Sequence, residues 1–92
     1  MDSGRREGKS NVIVEVRLPQ WGMGMTEGTI VEWECEVGDE IAEGDVLAEV
    51  EVAKATEELV SPVAGTVEAI LVEADETAEV RDVLLTVRTA GT

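Results

Sequence analysis

Residues 28–50 read GTIVEWECEVGDEIAEGDVLAEV, and thirty-seven positions later residues 65–87 read GTVEAILVEADETAEVRDVLLTV. Without a gap, Gly28-Thr29-Ile30 falls on Gly65-Thr66-Val67, Glu36 on Glu73, Asp39 on Glu76, Asp45-Val46-Leu47 on Asp82-Val83-Leu84, and Val50 on Val87. Within the first copy, Val31, Trp33, Cys35 and Val37 alternate with Glu32, Glu34 and Glu36, while Val46, Ala48, Val50 and Val52 alternate with Glu49 and Glu51. A period of two places successive side chains on opposite faces, which is the signature of half-buried strands. Gly38-Asp39 and Gly44-Asp45 supply turns between them. No useful stretch keeps a 3.6-residue apolar stripe, so helix is at most a minor element. Neither copy, with three or four strands, can bury its apolar face alone. The repeat therefore predicts an all-β fold of two sheets, related by a pseudo-twofold and packed as a flattened barrel or sandwich.

Outward from the repeat, Val12, Val14 and Val16 alternate with Ile13, Glu15 and Arg17 until Pro19 ends the strand. Ser61-Pro62 and Gly65 punctuate the middle, with further strands expected over Val67–Val72 and Val83–Val87. Residues 1–11 carry Arg5, Arg6 and Lys9 with no apolar run after them, so they fail as a secretory signal and read as a flexible tail. The expected organisation is a tail over 1–11, one domain over 12–88 and a short C-terminal tail over 89–92. No run approaches the length of a membrane span.

The 92 residues suffice for one small domain. Seven Lys and Arg against twenty-one Asp and Glu give a net charge of −14. A surface that acidic repels phosphate backbones and anionic headgroups, which disfavours nucleic-acid and membrane binding. The chain has no histidine, so the usual general base, the Ser–His and Cys–His pairs and most zinc sets are missing. No catalytic residue and no metal site are expected: Asp39, Glu40, Glu43 and Asp45 lack the spacing of a calcium loop. Cys35 is the one cysteine and shares a face with Val31 and Trp33, which reads as a buried structural thiol and fits a reducing, cytoplasmic setting. With no Phe or Tyr to fill the interior, Trp21, Met23 and Met25 are expected to pack in the loop and core.

Lys54 lies between the strands expected over Val46–Val52 and Glu57–Val60, which puts it at a hairpin tip. Its neighbours Ala53, Ala55 and Thr56 are small and leave the amine unhindered, as suits modification by a carrier-loading enzyme. Spacing alone also allows a plain surface lysine balancing Glu51, Glu57 and Glu58.

The stretches Leu18-Pro19-Gln20-Trp21-Gly22-Met23-Gly24-Met25-Thr26-Glu27-Gly28, Val37-Gly38-Asp39, Glu43-Gly44-Asp45-Val46-Leu47, Lys54-Ala55-Thr56 and Ser61-Pro62-Val63-Ala64-Gly65-Thr66-Val67 tip that balance. In this order and spacing they resemble the lipoyl domains of the acyltransferase (E2) component of 2-oxo acid dehydrogenase complexes, from about Val12 to Arg88. The resemblance implies a flattened β-barrel of eight strands in two four-stranded sheets, itself monomeric, with lipoic acid held through an amide on Lys54. It further implies a carrier with no catalysis of its own. Its lipoyl arm would take acyl groups from a thiamine-diphosphate dehydrogenase (E1) to an E2 catalytic domain and electrons to the flavin dehydrogenase (E3), after loading by a lipoate ligase. The alternatives are a biotin carboxyl carrier, a glycine cleavage H-like lipoyl carrier, and an unmodified adaptor barrel. Biotin carriers hold their lysine between methionines, whereas here Ala53 and Ala55 flank it and Met23 and Met25 lie far off in sequence. One departure from the lipoyl pattern stands out: Ala53 occupies the place where that family usually has an aspartate before the lysine.

Overall fold

The computed structural model of the chain describes residues 11–90, so the expected tails lie outside the described residues except for Asn11 and residues 89–90. The described residues form eight strands and no helix: β1 (Asn11–Arg17), β2 (Glu27–Trp33), β3 (Glu40–Ile41), β4 (Val46–Val52), β5 (Ala55–Val60), β6 (Gly65–Ile70), β7 (Thr77–Glu79) and β8 (Val83–Ala90). They assemble into two four-stranded sheets with orders β1-β8-β6-β3 and β5-β4-β2-β7, every pairing antiparallel. No strand ladder joins one sheet to the other among the described residues, so the architecture is the sandwich form of the expected fold, not a closed barrel.

The repeat is a true symmetry of the structure. Exchanging β1 with β5, β2 with β6, β3 with β7 and β4 with β8 turns one sheet order into the other. The halves interlock through the short strands, because β3 pairs with β6 of the second copy and β7 with β2 of the first. Backbone bonds reinforce the exchange. Val67 N–H donates to the Asp39 carbonyl and Ile30 N–H to the Glu76 carbonyl, both at 2.9 Å. Each copy's turn thus completes the other copy's strand.

Four acidic turn residues cap the turns that they occupy. Asp39 and Asp45 accept hydrogen bonds from Glu36 N–H at 2.9 Å and Ala42 N–H at 2.8 Å, and Glu76 and Asp82 repeat this with Glu73 N–H and Glu79 N–H at 3.0 Å. Such side-chain acceptors satisfy turn amides that would otherwise be unpaired.

Leu18, Ile30, Leu47, Val50, Val67, Leu84, Leu85 and Val87 are fully buried between the sheets. Two residues expected on the inward face of β2 are not buried: Val31 is 43% exposed, and Val37, beyond the end of β2 in the turn with Gly38, is 60% exposed. The β2–β4 register slips between Ile30 and Glu32, so Val31 is an extra, unpaired residue, and the strand's inward phase moves to Ile30 before the bulge and Trp33 and Cys35 after it. The symmetry-related slip falls between Val67 and Ala69 on β6. Cys35 is buried as expected, and Trp33 sends its indole N–H to the Val72 carbonyl at 2.9 Å.

Candidate modification site

The β4–β5 hairpin is a continuous ladder: Glu49↔Glu58, Val50↔Glu57, Glu51↔Thr56 and Val52↔Ala55. After the Val52↔Ala55 rung only Ala53 and Lys54 remain, so Lys54 is at the tip of a two-residue turn, as expected from the sequence. Tight hairpins usually need positive φ in the turn, which favours Gly and Asn. Here the described non-glycine residues with positive φ are Asp75 and Arg81, so Ala53 and Lys54 turn with ordinary negative φ. That geometry admits a lysine at no conformational cost. Below the tip, buried Val50 and Leu59 and half-buried Val52 fix the hairpin to the core. Ala53, Lys54, Ala55 and Thr56 are all exposed, and Lys54 has no ion-pair partner among the described residues. The result is a core-anchored post with an exposed lysine on top.

The pseudo-twofold is broken beside that post. Leu18 and Ser61 hold equivalent stations. Leu18 N–H donates to the Asp82 carbonyl at 3.0 Å, and Ser61 N–H to the Asp45 carbonyl at 2.9 Å. Between Leu18 and Gly28 lie nine residues, and between Ser61 and Gly65 only three. The six additional residues form a loop tied by Met25 N–H to the Gly22 carbonyl at 3.1 Å and by the Gln20 side-chain amide to the Met25 carbonyl at 3.2 Å, with Gly24 at φ 84°. It lies against the hairpin tip, leaving a groove of about 370 Å³ lined by Trp21, Met23, Met25, Val52, Ala53 and Lys54 among others.

Trp21 and Met25 do pack against the core, but Met23, expected inside, is fully exposed at 102%. It sits next to Gly24, in the turn of the loop and outside any strand, so strand phase does not direct its side chain inward. The convergence of this loop on Lys54 went unread in the sequence, since Met23 and Lys54 are thirty-one residues apart; the signal was the unequal spacing of the two copies. Burial pushes the Cys35 thiol above its ordinary pKa, with the Asp39 carboxylate adding to the effect, which disfavours the nucleophilic thiolate.

A symmetric two-sheet sandwich that holds one lysine at a hairpin tip is the architecture of a covalent-cofactor carrier. A family model described as biotin-requiring enzyme, which covers biotin and lipoyl attachment domains, matches residues 14–87, and the chain belongs to that family. It is 51% identical over 71 residues to the dihydrolipoyllysine-residue acetyltransferase component of pyruvate dehydrogenase complex from Staphylococcus aureus strain Mu50, and equally to that of Staphylococcus epidermidis strain RP62A. In both cases the match takes in 77% of this chain and 16% of the relative's length. Among solved structures, a single-chain, multi-domain long-chain acyl-CoA carboxylase superposes with a TM-score of 0.71 at 25% identity, over 87% of this chain and 7% of that one.

Proposed function

We propose that Lys54 is the attachment residue of a lipoyl group, and that the chain serves as the mobile carrier domain of a 2-oxo acid dehydrogenase complex. The observation that carries this reading is the exposed lysine at the tip of a core-anchored hairpin, in a chain 51% identical over 71 residues to acetyltransferase components named for a dihydrolipoyl lysine. The site fits the group. Joining Nζ to a lipoyl carboxyl through an amide needs an accessible amine, and the alanines on either side leave its approach open. When bound, a lipoyl group supplies a ring disulfide that accepts and releases acyl groups and electrons.

The chain's own contribution is presentation. The β4–β5 ladder keeps Lys54 at a fixed height and direction, so a ligase or dehydrogenase that grips the sandwich meets the arm in a set place. Tethering replaces repeated binding by a high local concentration, on the order of millimolar for a short flexible link. That the relatives are acetyltransferase components of a pyruvate dehydrogenase complex supports E1, an E2 catalytic domain and E3 as the sites visited; loading by a lipoate ligase and a monomeric travelling domain belong to the same proposal. A cytoplasmic setting completes the reading, supported by the lone cysteine, which leaves no intrachain disulfide to form.

Intact mass tests it. Incubation of the 92-residue chain with lipoate and a lipoate ligase should add one lipoyl group to Lys54 and none to Lys9. Lys54→Arg should take up nothing while unfolding within about 0.5 kcal/mol of the parent, as an exposed substitution does. Biotin on Lys54 under matched conditions with a biotin ligase, and no lipoyl, would overturn the assignment.

A further inference from the structure

We infer that the groove between the 19–26 loop and the hairpin tip is a docking site for the arm that Lys54 itself carries, so that the domain shelters its own cofactor between visits. This rests on the lipoyl reading above. The groove is built by the six residues that break the pseudo-twofold, and the symmetry-related connection, Pro62-Val63-Ala64, has no tryptophan or methionine to line one. Its lining is apolar and sulfur-rich, with Trp21, Met23, Met25, Val52 and Ala53, and Glu57 is the one carboxylate among the lining residues. Fully exposed Met23 and half-exposed Trp21 stand beside Lys54, the one lysine among the described residues, on a surface otherwise dense in acids.

Lys54 lines the same groove, so an arm bonded to its Nζ starts beside it. An aliphatic chain ending in two ring sulfurs suits indole and thioether surfaces, which favour contacts with polarizable sulfur. The volume of about 370 Å³ is at the small end of the range for small-molecule sites. Ala53 gives this chain an apolar wall where the lipoyl pattern usually has an aspartate, which would hold water and charge in the groove. A second copy is the weaker occupant: from Val12 onward each chain carries −15, whereas the amidated arm is uncharged. Affinity need not be high. With a tether near millimolar effective concentration, a groove that binds the free arm at about 1 mM is filled half the time.

Fluorescence of Trp21 tests this, because a bound disulfide quenches indole emission. In Trp33→Phe, which leaves Trp21 as the only tryptophan, lipoylation confirmed by mass should lower emission about twofold, independent of protein concentration, as half occupancy of the groove requires. In the unsubstituted chain the Trp21 indole N–H resonance should shift by the same event, which removes dependence on the variant's folding. Ala53→Asp should be lipoylated to the same extent and lose most of the quenching. A lipoylated Lys54 with unchanged Trp21 emission and resonance overturns the docking alone. Quenching that grows with protein concentration also overturns it, by assigning the groove to a neighbour's arm. If mass shows Lys54 unmodified, the carrier reading itself fails and the docking falls with it.

Discussion

Gly38 and Asp75 occupy the same station in the two halves, thirty-seven residues apart, and both have left-handed backbone, with φ of 97° and 75°. Gly44 and Arg81 form a second such pair at 92° and 81°. The turns following the repeat's first strand therefore demand positive φ in both copies, and the first copy meets the demand with glycine while the second forces an L side chain into it. Left-handed backbone costs a side chain roughly 1–2 kcal/mol, against 0.5–1 kcal/mol of extra unfolded-state entropy for glycine. Gly44→Ala should thus lower stability by about 1 kcal/mol, and Arg81→Gly should be neutral or raise it by up to about 0.5 kcal/mol. Urea unfolding of both variants reads the difference, and equal losses would show that φ is not what distinguishes these positions.

Gly28 and Gly65 are equivalent in a different way: neither has room for a β-carbon. One at Gly28 would come 2.7 Å from Val50 Cγ1, whereas one at Gly65 would run into the backbone carbonyl of Arg88. A side chain can change rotamer, but Arg88 is held in the β8 ladder opposite Ile13 and Thr66. Overpacking typically costs 1–3 kcal/mol. Gly65→Ala should lie at or beyond the upper end of that range and Gly28→Ala near the lower, as compared by thermal melts, with the order reversed if Val50 has no alternative rotamer.

The repeat was legible because its matches are ordered and ungapped, and it carried most of the fold: two interlocked units and two sheets. Lys54 was legible as the gap between two alternating runs. What escaped was whatever alternation cannot encode. Bulges add a residue without leaving a mark in the composition, so Val31 looked like core when the slip after Ile30 turned it to solvent, and Val37 continued the alternation although β2 ends at Trp33 and Val37 lies in the turn with Gly38. β3 and β7 have two and three residues, too few to show a period. Met23 resembles core by type, yet its place is set by loop geometry and not by strand phase. Met25→Ala should accordingly cost roughly 1–2 kcal/mol through partial burial, while Met23→Ala should be within about 0.5 kcal/mol of the parent.

Cys35 gives a pH-dependent outcome. Burial, with help from Asp39, raises its pKa in the folded state, so the folded chain disfavours the thiolate relative to the unfolded chain. Stability from this group is fully present below the ordinary thiol pKa and is lost as pH climbs through the raised folded value. At about pH 8, iodoacetamide should label the native chain far more slowly than the chain in guanidinium, since reaction needs the thiolate and access. Equal rates in the two states would show that the thiol is neither buried nor perturbed.

The sheet that carries Lys54 is also where the charge is least balanced. Glu49 on β4 faces Glu32 on β2 and Glu58 on β5 directly across the ladder, and Glu27 on β2 faces Glu79 on β7. The carboxylates of Glu32, Glu34 and Glu49 lie within 4.8 Å of one another. On the other sheet Arg17 pairs with Glu15, and Arg88 lies 3.7 Å from Glu68. Directly opposed like charges destabilise and opposite charges stabilise, by about 0.2–1 kcal/mol per pair. Glu49→Lys turns two repulsive pairs into attractive ones and should raise stability by about 0.5–2 kcal/mol, or several degrees in Tm for a domain of this size. Salt should act in the same direction on the parent, because raising ionic strength from about 0.05 to 1 M shortens the screening length to about 3 Å. The Tm of the parent should climb with sodium chloride and that of Glu49→Lys should climb less. Parallel salt curves for the two proteins would mean that the ladder is not the source of the repulsion and that net charge alone accounts for it.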